Sequence, residues 1–189
     1  MKLKGTTISE LGKAYDKTLA WFFAYPQKEF TLNELCKSIG IAKTTANVVI
    51  SQLEKEGFLE KEILGKVWRI KVNQKHPYVT TRKIPFNLQQ IYESGILQWV
   101  NDNIPNAKAI ILFGSYRKGD DIEGSDIDIA VEILGNQKLE IITGVMQALG
   151  YRKNIKVNLH VFSRKHIDLN VFANIANGIV LNGFLEVRP

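Results

Sequence analysis

Two aspartates separated by one residue lie in an apolar stretch, "SDIDIAVEI", that is predicted to form a buried strand. Side chains alternate across a strand, so Asp126 and Asp128 share one face while the neighbouring isoleucines share the other. Two such carboxylates repel each other unless a divalent cation, which prefers oxygen ligands, lies between them. The spacing predicts a site for Mg²⁺ or Mn²⁺. A polar strand edge that simply faces solvent is the alternative.

A glycine and a serine end the preceding apolar run, "AKAIILFGSYRKGD". Gly114 would let a phosphate group approach the backbone, and Ser115 offers a hydroxyl and an N–H to the same anion. Arg117 and Lys118 add positive charge close by. A solvent-facing strand edge does not explain this turn. Two carboxylates facing a phosphate-binding turn suit nucleotidyl transfer, in which metal ions align the α-phosphate, activate the attacking hydroxyl and neutralise the leaving pyrophosphate.

Gly114-Ser115, ten further residues and then Asp126-Ile127-Asp128 resemble the signature of the nucleotidyltransferase superfamily related to DNA polymerase beta. The similarity covers about residues 95–183, up to "IANGIVLNG". It is greatest to the minimal nucleotidyltransferases, which include the antitoxins paired with HEPN toxins. The resemblance implies an α/β palm with a mixed sheet, Mg²⁺ or Mn²⁺, an NTP donor with ATP favoured, and an acceptor hydroxyl. A HEPN-type protein partner and a homodimer are further expectations.

The resemblance also implies a third aspartate on a later strand beside the metal pair. The corresponding strand here is "NIKVNLHVF", residues 154–162, and the position that should be aspartate is Asn158. An amide ligates a cation weakly, brings no charge and cannot serve as a base. His160 on the same face could substitute, or it could be an ordinary surface histidine. Asp126, Asp128 and Asn158 are therefore the candidate catalytic residues, with the metal on the two aspartates.

The N-terminal part of the chain carries apolar residues at helical spacing over 8–25, between Thr31 and Gly40, and over 44–56. Thr31 followed by Glu34 predicts a capping box at the start of the second helix. Two strand-like runs, "FLEKEI" and "VWRIKV", follow and are joined by "LGK". This order resembles the winged helix-turn-helix family over about residues 8–73.

Basic and short polar side chains lie on the predicted outer face of that region. The N-terminal end of its third helix would enter a major groove, and the hairpin would reach neighbouring phosphates. Residues 1–75 hold 13 Lys/Arg against 8 Asp/Glu, most of the net charge of +6, which favours a polyanionic partner such as duplex DNA. Protein docking is the alternative use of a winged helix. The candidate nucleic-acid-binding residues are Lys43, Thr44, Thr45, Asn47, Lys66 and Arg69.

The predicted fold class is α+β, with a winged helix-turn-helix domain over 1–75, a linker over 76–94 and a nucleotidyltransferase domain over 95–189. The linker prediction rests on two prolines and the lack of a clear period, and Asn87 is expected to cap the helix after it. Cys36 is the single cysteine and excludes an internal disulfide. No apolar run is long enough to span a bilayer, so a cytoplasmic protein without membrane contact is expected.

Two functions follow from these observations. The first is a Mg²⁺-dependent nucleotidyltransferase that transfers NMP from an NTP to a protein or nucleic-acid acceptor and carries a DNA-binding winged helix. The second is a DNA-binding regulator or antitoxin-like protein whose nucleotide-binding domain is catalytically weakened. The intact pair of Asp126 and Asp128 favours the first, and Asn158 favours the second.

Overall fold

A computed structural model describes residues 8–65 and 67–187 of the chain. The chain divides into two compact units, an N-terminal unit that ends at Val79 and a C-terminal unit that begins at Thr80. Within the described part, no helix combines the length and the apolar character needed to cross a membrane.

The N-terminal unit has helices followed by an antiparallel hairpin, in the order predicted from the sequence. Buried side chains from each helix, including Phe22, Leu35 and Ile50, form its core. A backbone bridge between Phe30 and Ile70 joins the segment before the second helix to the hairpin. The elements are α1 (Ile8–Ala24), α2 (Leu32–Ile39), α3 (Lys43–Lys55), β1 (Leu59–Leu64) and β2 (Val67–Val72).

The ends of α2 follow from its local sequence. The Thr31 hydroxyl accepts a hydrogen bond from the backbone N–H of Glu34 at 3.2 Å, and the Glu34 carboxylate accepts one from the N–H of Thr31 at 2.7 Å. These bonds satisfy donors that the first turn of a helix leaves free, and they confirm the predicted capping box. Gly40 ends the helix with a φ of 66°, a left-handed conformation that glycine adopts at little cost.

The C-terminal unit is built on a mixed sheet of five strands in the order β5-β6-β4-β3-β7. Strands β4 and β6 run parallel, and every other neighbouring pair is antiparallel. This sheet confirms the predicted mixed α+β architecture. A short helix α4 (Tyr78–Thr81) precedes the unit's main elements, which are α5 (Lys83–Glu93), α6 (Ile96–Asn103), β3 (Ala107–Phe113), α7 (Gly114–Lys118), β4 (Ile127–Ile133), β5 (Glu140–Leu149), β6 (Arg152–Phe162), α8 (Leu169–Ala176) and β7 (Ile179–Gly183).

The two faces of this sheet are covered differently. One face carries Ile127 and Ile129 of β4 into a large core shared with α5 and α6. The other face carries Ala130 into a smaller core shared with Ile175 of α8. Asp128 lies on this second face beyond Ala130, where its side chain is 27 % exposed. The end of the sheet that carries the aspartates therefore stays open.

Residues 76–94 are not the irregular linker that the sequence predicted. They contain α4 and α5, and the division between the units falls at Val79 and Thr80. Asn87 does not cap a helix; it lies inside α5 and is 2 % exposed. Pro85 concealed the helix from sequence reading, yet it sits in the first turn of α5, where the missing N–H costs little. The side chains that α5 buries include polar ones, which hid its helical period.

Candidate active site

The two aspartates meet a single amide group on the neighbouring strand. Strand β4 runs parallel to β6 in a register that pairs Asp128 with Asn158. The Nδ2 of Asn158 donates to Asp126 Oδ2 at 3.3 Å and to Asp128 Oδ1 at 3.2 Å. Thr143 of β5 lies on the other side and donates its hydroxyl to Asn158 Oδ1 at 3.2 Å. Asn158 thus bridges both carboxylates from the position where the family resemblance implies a third aspartate.

Two basic side chains complete the surroundings of the carboxylates. The Nε2 of His160 lies 3.3 Å from Asp128 Oδ1, and its ring packs against Phe113 with the ring centroids 5.0 Å apart. The Nζ of Lys156 lies 3.5 Å from Asp126 Oδ2. Hydrogen bonds from His160 and Asn158 lower the pKa of Asp128, although partial burial opposes the shift. Asp128 is therefore a carboxylate at neutral pH.

The Gly-Ser turn lies directly against Asp128. Phe113, the last residue of β3, pairs with Asp128, and the backbone then turns at Gly114 with a φ of 72°. A Cβ placed on Gly114 would lie 2.7 Å from Asp128 Oδ2, closer than real Cβ contacts allow. Sequence reading assigned this glycine to the approach of a phosphate, and the structure adds the approach of a carboxylate. Ser115 and Arg117 are half-buried in α7, and Lys118 is exposed.

Asp126 and Asp128 are the side chains at this site that could hold a divalent cation. Across the described ranges, no group of three or more His, Cys, Asp and Glu side chains is arranged to hold a metal ion. Asp126 and Asp128 supply two carboxylates, so the rest of a Mg²⁺ shell would come from phosphate oxygens and water. One oxygen of each carboxylate already converges on the polarised N–H₂ of Asn158. The pair fits a cation that arrives together with a triphosphate.

The part of the chain that carries this site is similar to known proteins. Residues 95–183 match the family described as "Polymerase beta, Nucleotidyltransferase". This region, slightly less than half of the chain, is therefore similar to a nucleotidyltransferase domain. A stretch of 44 residues is also 50 % identical to the protein adenylyltransferase MntA of Shewanella oneidensis strain MR-1. That stretch covers 23 % of this chain and 32 % of MntA, so the similarity spans about a third of that relative's length.

The region that matches this family brings its predicted site residues together. Asp126, Asp128 and Asn158 are joined by hydrogen bonds, and Gly114 lies against Asp128. Sequence reading missed the contact of Thr143 with Asn158, because no strand was predicted over residues 140–149. The alternation of side chains along β5 is the signal that could have revealed this contact, because Thr143 lies opposite Asn158 when β5 and β6 pair.

The predicted nucleic-acid-binding residues lie in the N-terminal unit. Helix α3 begins at Lys43, and the side chains of Lys43, Thr44 and Asn47 are exposed, while Thr45 is half-buried. Arg69 on β2 is exposed, and its Nε lies 3.7 Å from a carboxylate oxygen of Glu29. The remaining candidate, Lys66, lies outside the described residues.

Proposed function

We propose that this chain is a Mg²⁺-dependent nucleotidyltransferase that transfers NMP from an NTP to a hydroxyl of a protein or nucleic-acid acceptor. The observation that carries the proposal is the pair of Asp126 and Asp128, joined through Asn158, with Asp128 packed against the Gly114 turn. The similarity of part of the chain to a protein adenylyltransferase favours ATP as the donor and a protein as the acceptor. Mn²⁺ would replace Mg²⁺ at the same oxygens.

In this proposal the chain's own residues bind and orient the donor. Asp126 and Asp128 hold the cation, and the backbone at Gly114 and Ser115 binds phosphate oxygens with charge support from Arg117 and Lys118. A Mg²⁺ ion held by these carboxylates would neutralise phosphate charge and polarise the α-phosphate. The acceptor oxygen would bond to the α-phosphorus as the bond to pyrophosphate breaks, and the hydroxyl proton would pass to solvent water.

Asn158 and His160 decide how well the acceptor is activated. Rotating the Asn158 amide by half a turn would direct its oxygen, rather than its N–H₂, at a cation between the aspartates. The amide still cannot accept the acceptor's proton. His160 offers a ring nitrogen beside Asp128, within 3.3 Å of Oδ1. The proposed enzyme would therefore hold one metal together with the triphosphate and activate its acceptor slowly.

A second candidate function is favoured by the hydrogen bonds of Asn158. The amide donates one hydrogen bond to each carboxylate, which offsets part of their mutual repulsion at the position where a third aspartate would add to it. A regulator or antitoxin-like protein that binds a nucleotide and transfers it poorly would have such a site. A HEPN-type protein partner belongs with this alternative, and a homodimer and a cytoplasmic location are compatible with either function.

Calorimetry with MgATP and transfer of label from ATP to candidate acceptors test both functions. The Asp126→Ala/Asp128→Ala variant is expected to lose metal-dependent ATP binding and all transfer. Glu93→Ala/Asp102→Ala, which removes two exposed carboxylates from the helices α5 and α6, is the matched control. Equal MgATP binding by the first variant and the parent would show that the site is misplaced. Binding without transfer to any acceptor would favour the regulator.

The proposal includes a DNA-binding winged helix in the N-terminal unit. The exposed start of α3, with Lys43, Thr44 and Asn47, supports it, together with Thr45, Arg69 and Lys66. Binding to duplex DNA should weaken steeply with added salt, because phosphate contacts release counterions. Lys43→Ala should weaken binding to all sequences alike, whereas Lys55→Ala at the other end of α3 should not. Absence of binding to any duplex at low salt would leave protein docking as the role of this unit.

A further inference from the structure

A charged cluster is buried in the C-terminal unit, away from the carboxylate pair. Lys83 of α5, Asp121 and Arg152 at the start of β6 are 1 %, 2 % and 5 % exposed. The Nζ of Lys83 lies 3.1 Å from Asp121 Oδ1, and the Nη1 of Arg152 lies 3.5 Å from Asp121 Oδ2. Burial lowers the pKa of Lys83 and raises that of Asp121, while the opposite charges counteract both shifts. Two cations therefore surround one buried carboxylate.

The cluster holds both ends of the loop that connects α7 to β4. At the start of this loop, Lys83 donates to the backbone oxygen of Asp121, and Asn87 donates to Asp121 Oδ1 at 2.8 Å. At its end, the Nη2 of Arg152 donates to the backbone oxygen of Ser125. Between these points the loop closes on itself, since the N–H of Ser125 donates to the oxygen of Ile122 at 3.0 Å. Asp126 is the next residue.

The same cluster reaches the Gly-Ser turn. Asn87 also donates to the backbone oxygen of Tyr116 in α7 at 2.9 Å. The guanidinium of Arg152 lies over the Tyr116 ring, with its carbon 5.8 Å from the ring centroid. One set of side chains thus contacts both segments that line the site, α7 on one side and the loop before Asp126 on the other.

Buried ion pairs are a poor means of stabilising a fold, because desolvation offsets most of their attraction. A cluster that combines three ionisable groups with directed bonds to backbone oxygens is better explained by the need to fix one loop geometry. Arg152 suits this task because its planar guanidinium holds its donors in a fixed geometry, with Nη1 near the Asp121 carboxylate and Nη2 on the Ser125 oxygen.

We propose that Arg152 and Asp121, with Lys83 and Asn87, are positioning residues that hold the loop so that Asp126 stays beside Asp128. The inference rests on the proposed function, because the pair matters as a metal site only if the domain binds a metal nucleotide. Neither Arg152 nor Asp121 touches the reacting atoms. Their effect passes through the backbone at Ser125.

The test compares two charge-preserving variants of the full chain. Arg152→Lys keeps the positive charge near Asp121 but removes the bond to the Ser125 oxygen. Arg164→Lys is the matched control, since Arg164 donates to the buried Glu132 at 2.7 Å and makes no described contact with the loop. The first readout is binding of Mn²⁺, alone and with ATP, followed by electron paramagnetic resonance. The second is hydrogen exchange of the backbone amides of residues 121–127 in metal-free protein.

We expect Arg152→Lys to weaken Mn²⁺ binding about tenfold, the lower end of what loss of a ligand-supporting partner causes. Its loop amides should exchange about tenfold faster, while those of β3 keep the parent's rates. Arg164→Lys should change neither. Asn87→Ala, which loosens Asp121 without removing a charge, should show the same pattern if Arg152→Lys does not fold.

Unchanged Mn²⁺ binding and unchanged loop exchange in Arg152→Lys would overturn the inference, as would equal effects of both arginine variants. If the parent itself binds no Mn²⁺, with or without ATP, the proposed function fails. Hydrogen exchange then decides the positioning role: faster exchange confined to the loop in Arg152→Lys supports it, and parent-like exchange refutes it.

Discussion

Replacing Asn158 with aspartate should make the C-terminal unit less stable without metal and restore its stability when metal is added. The change removes the two hydrogen bonds that the amide donates at 3.3 and 3.2 Å, worth about 1 kcal/mol each. It also brings a third carboxyl against two carboxylates. The repulsion between these three charges can cost at most about 4 kcal/mol, because protonating an ordinary carboxyl at pH 7 costs about that much and removes its charge.

The expected loss without metal is therefore at least about 2 kcal/mol from the hydrogen bonds alone, or about 10 °C in the Tm of a unit of this size. A cation bound between three carboxylates reverses the loss, since a ligand at about 100 times its Kd stabilises the folded state by about 2.7 kcal/mol. At limiting Mg²⁺, nucleotide transfer by Asn158→Asp should be about 10- to 100-fold faster than by the parent, equivalent to about 1.4 to 2.8 kcal/mol.

Thermal unfolding in a chelator and across a Mg²⁺ or Mn²⁺ titration measures the stability effect. Asn158→Ala loses the same hydrogen bonds without gaining a charge, so metal should not restore its Tm. Asn182→Asp places the same charge on an exposed position of β7 and should resemble the parent throughout. A Tm for Asn158→Asp that is unchanged in chelator, or unmoved by metal, would refute the assignment of Asn158 to the third ligand position.

Two further substitutions test the turn beside the site and the cap of α2. Gly114→Ala should cost about 1 to 2 kcal/mol and weaken MgATP binding about tenfold, because its φ is 72° and its Cβ would press on Asp128 Oδ2. Gly12→Ala, where the added Cβ meets open space, is the stability control, and parent-like MgATP binding by Gly114→Ala would contradict the reasoning. Hydrogen bonds with Thr31 lower the pKa of Glu34 below its ordinary value of 4.5. The ionised carboxylate therefore adds to the free energy of unfolding above pH 4.5, and this addition is lost as the pH falls through the lower pKa of the folded state. Glu34→Gln should flatten that part of the pH dependence of unfolding, and a slope equal to the parent's would show that this cap does not contribute.

Local signals made part of the structure predictable. Helices α2 and α3 could be placed from sequence because their signals depend on a few consecutive residues. These signals are the capping box, the left-handed Gly40 and the helical period of α3. The side-chain parity of β4 and β6 predicted that Asp128 and Asn158 each point away from the apolar face of their own strand, and the family resemblance predicted that the two lie together. Short-range patterns of this kind need no knowledge of the rest of the fold.

Features that depend on distant parts of the chain were not predictable. Strand β5 has Ile141, Ile142, Val145 and Met146 at a spacing that suits a helix, and pairing with β6 along nearly its whole length decides otherwise. The buried Lys83 gave no signal either, because its partner Asp121 is 38 residues away. Tertiary contacts overrode local pattern at both places.

The pairing of β7 with β3 has a consequence for synthesis of the protein. Strand β3 is an interior strand of the sheet, and one of its two neighbours, the edge strand β7, comes from Ile179–Gly183 near the other end of the unit. The N-terminal unit ends at Val79, so it can fold about a hundred residues before that strand is made. At ordinary translation rates this interval lasts about 5 to 20 s. During it, a nascent chain presents a folded N-terminal unit while the sheet that supports the carboxylate pair is still incomplete.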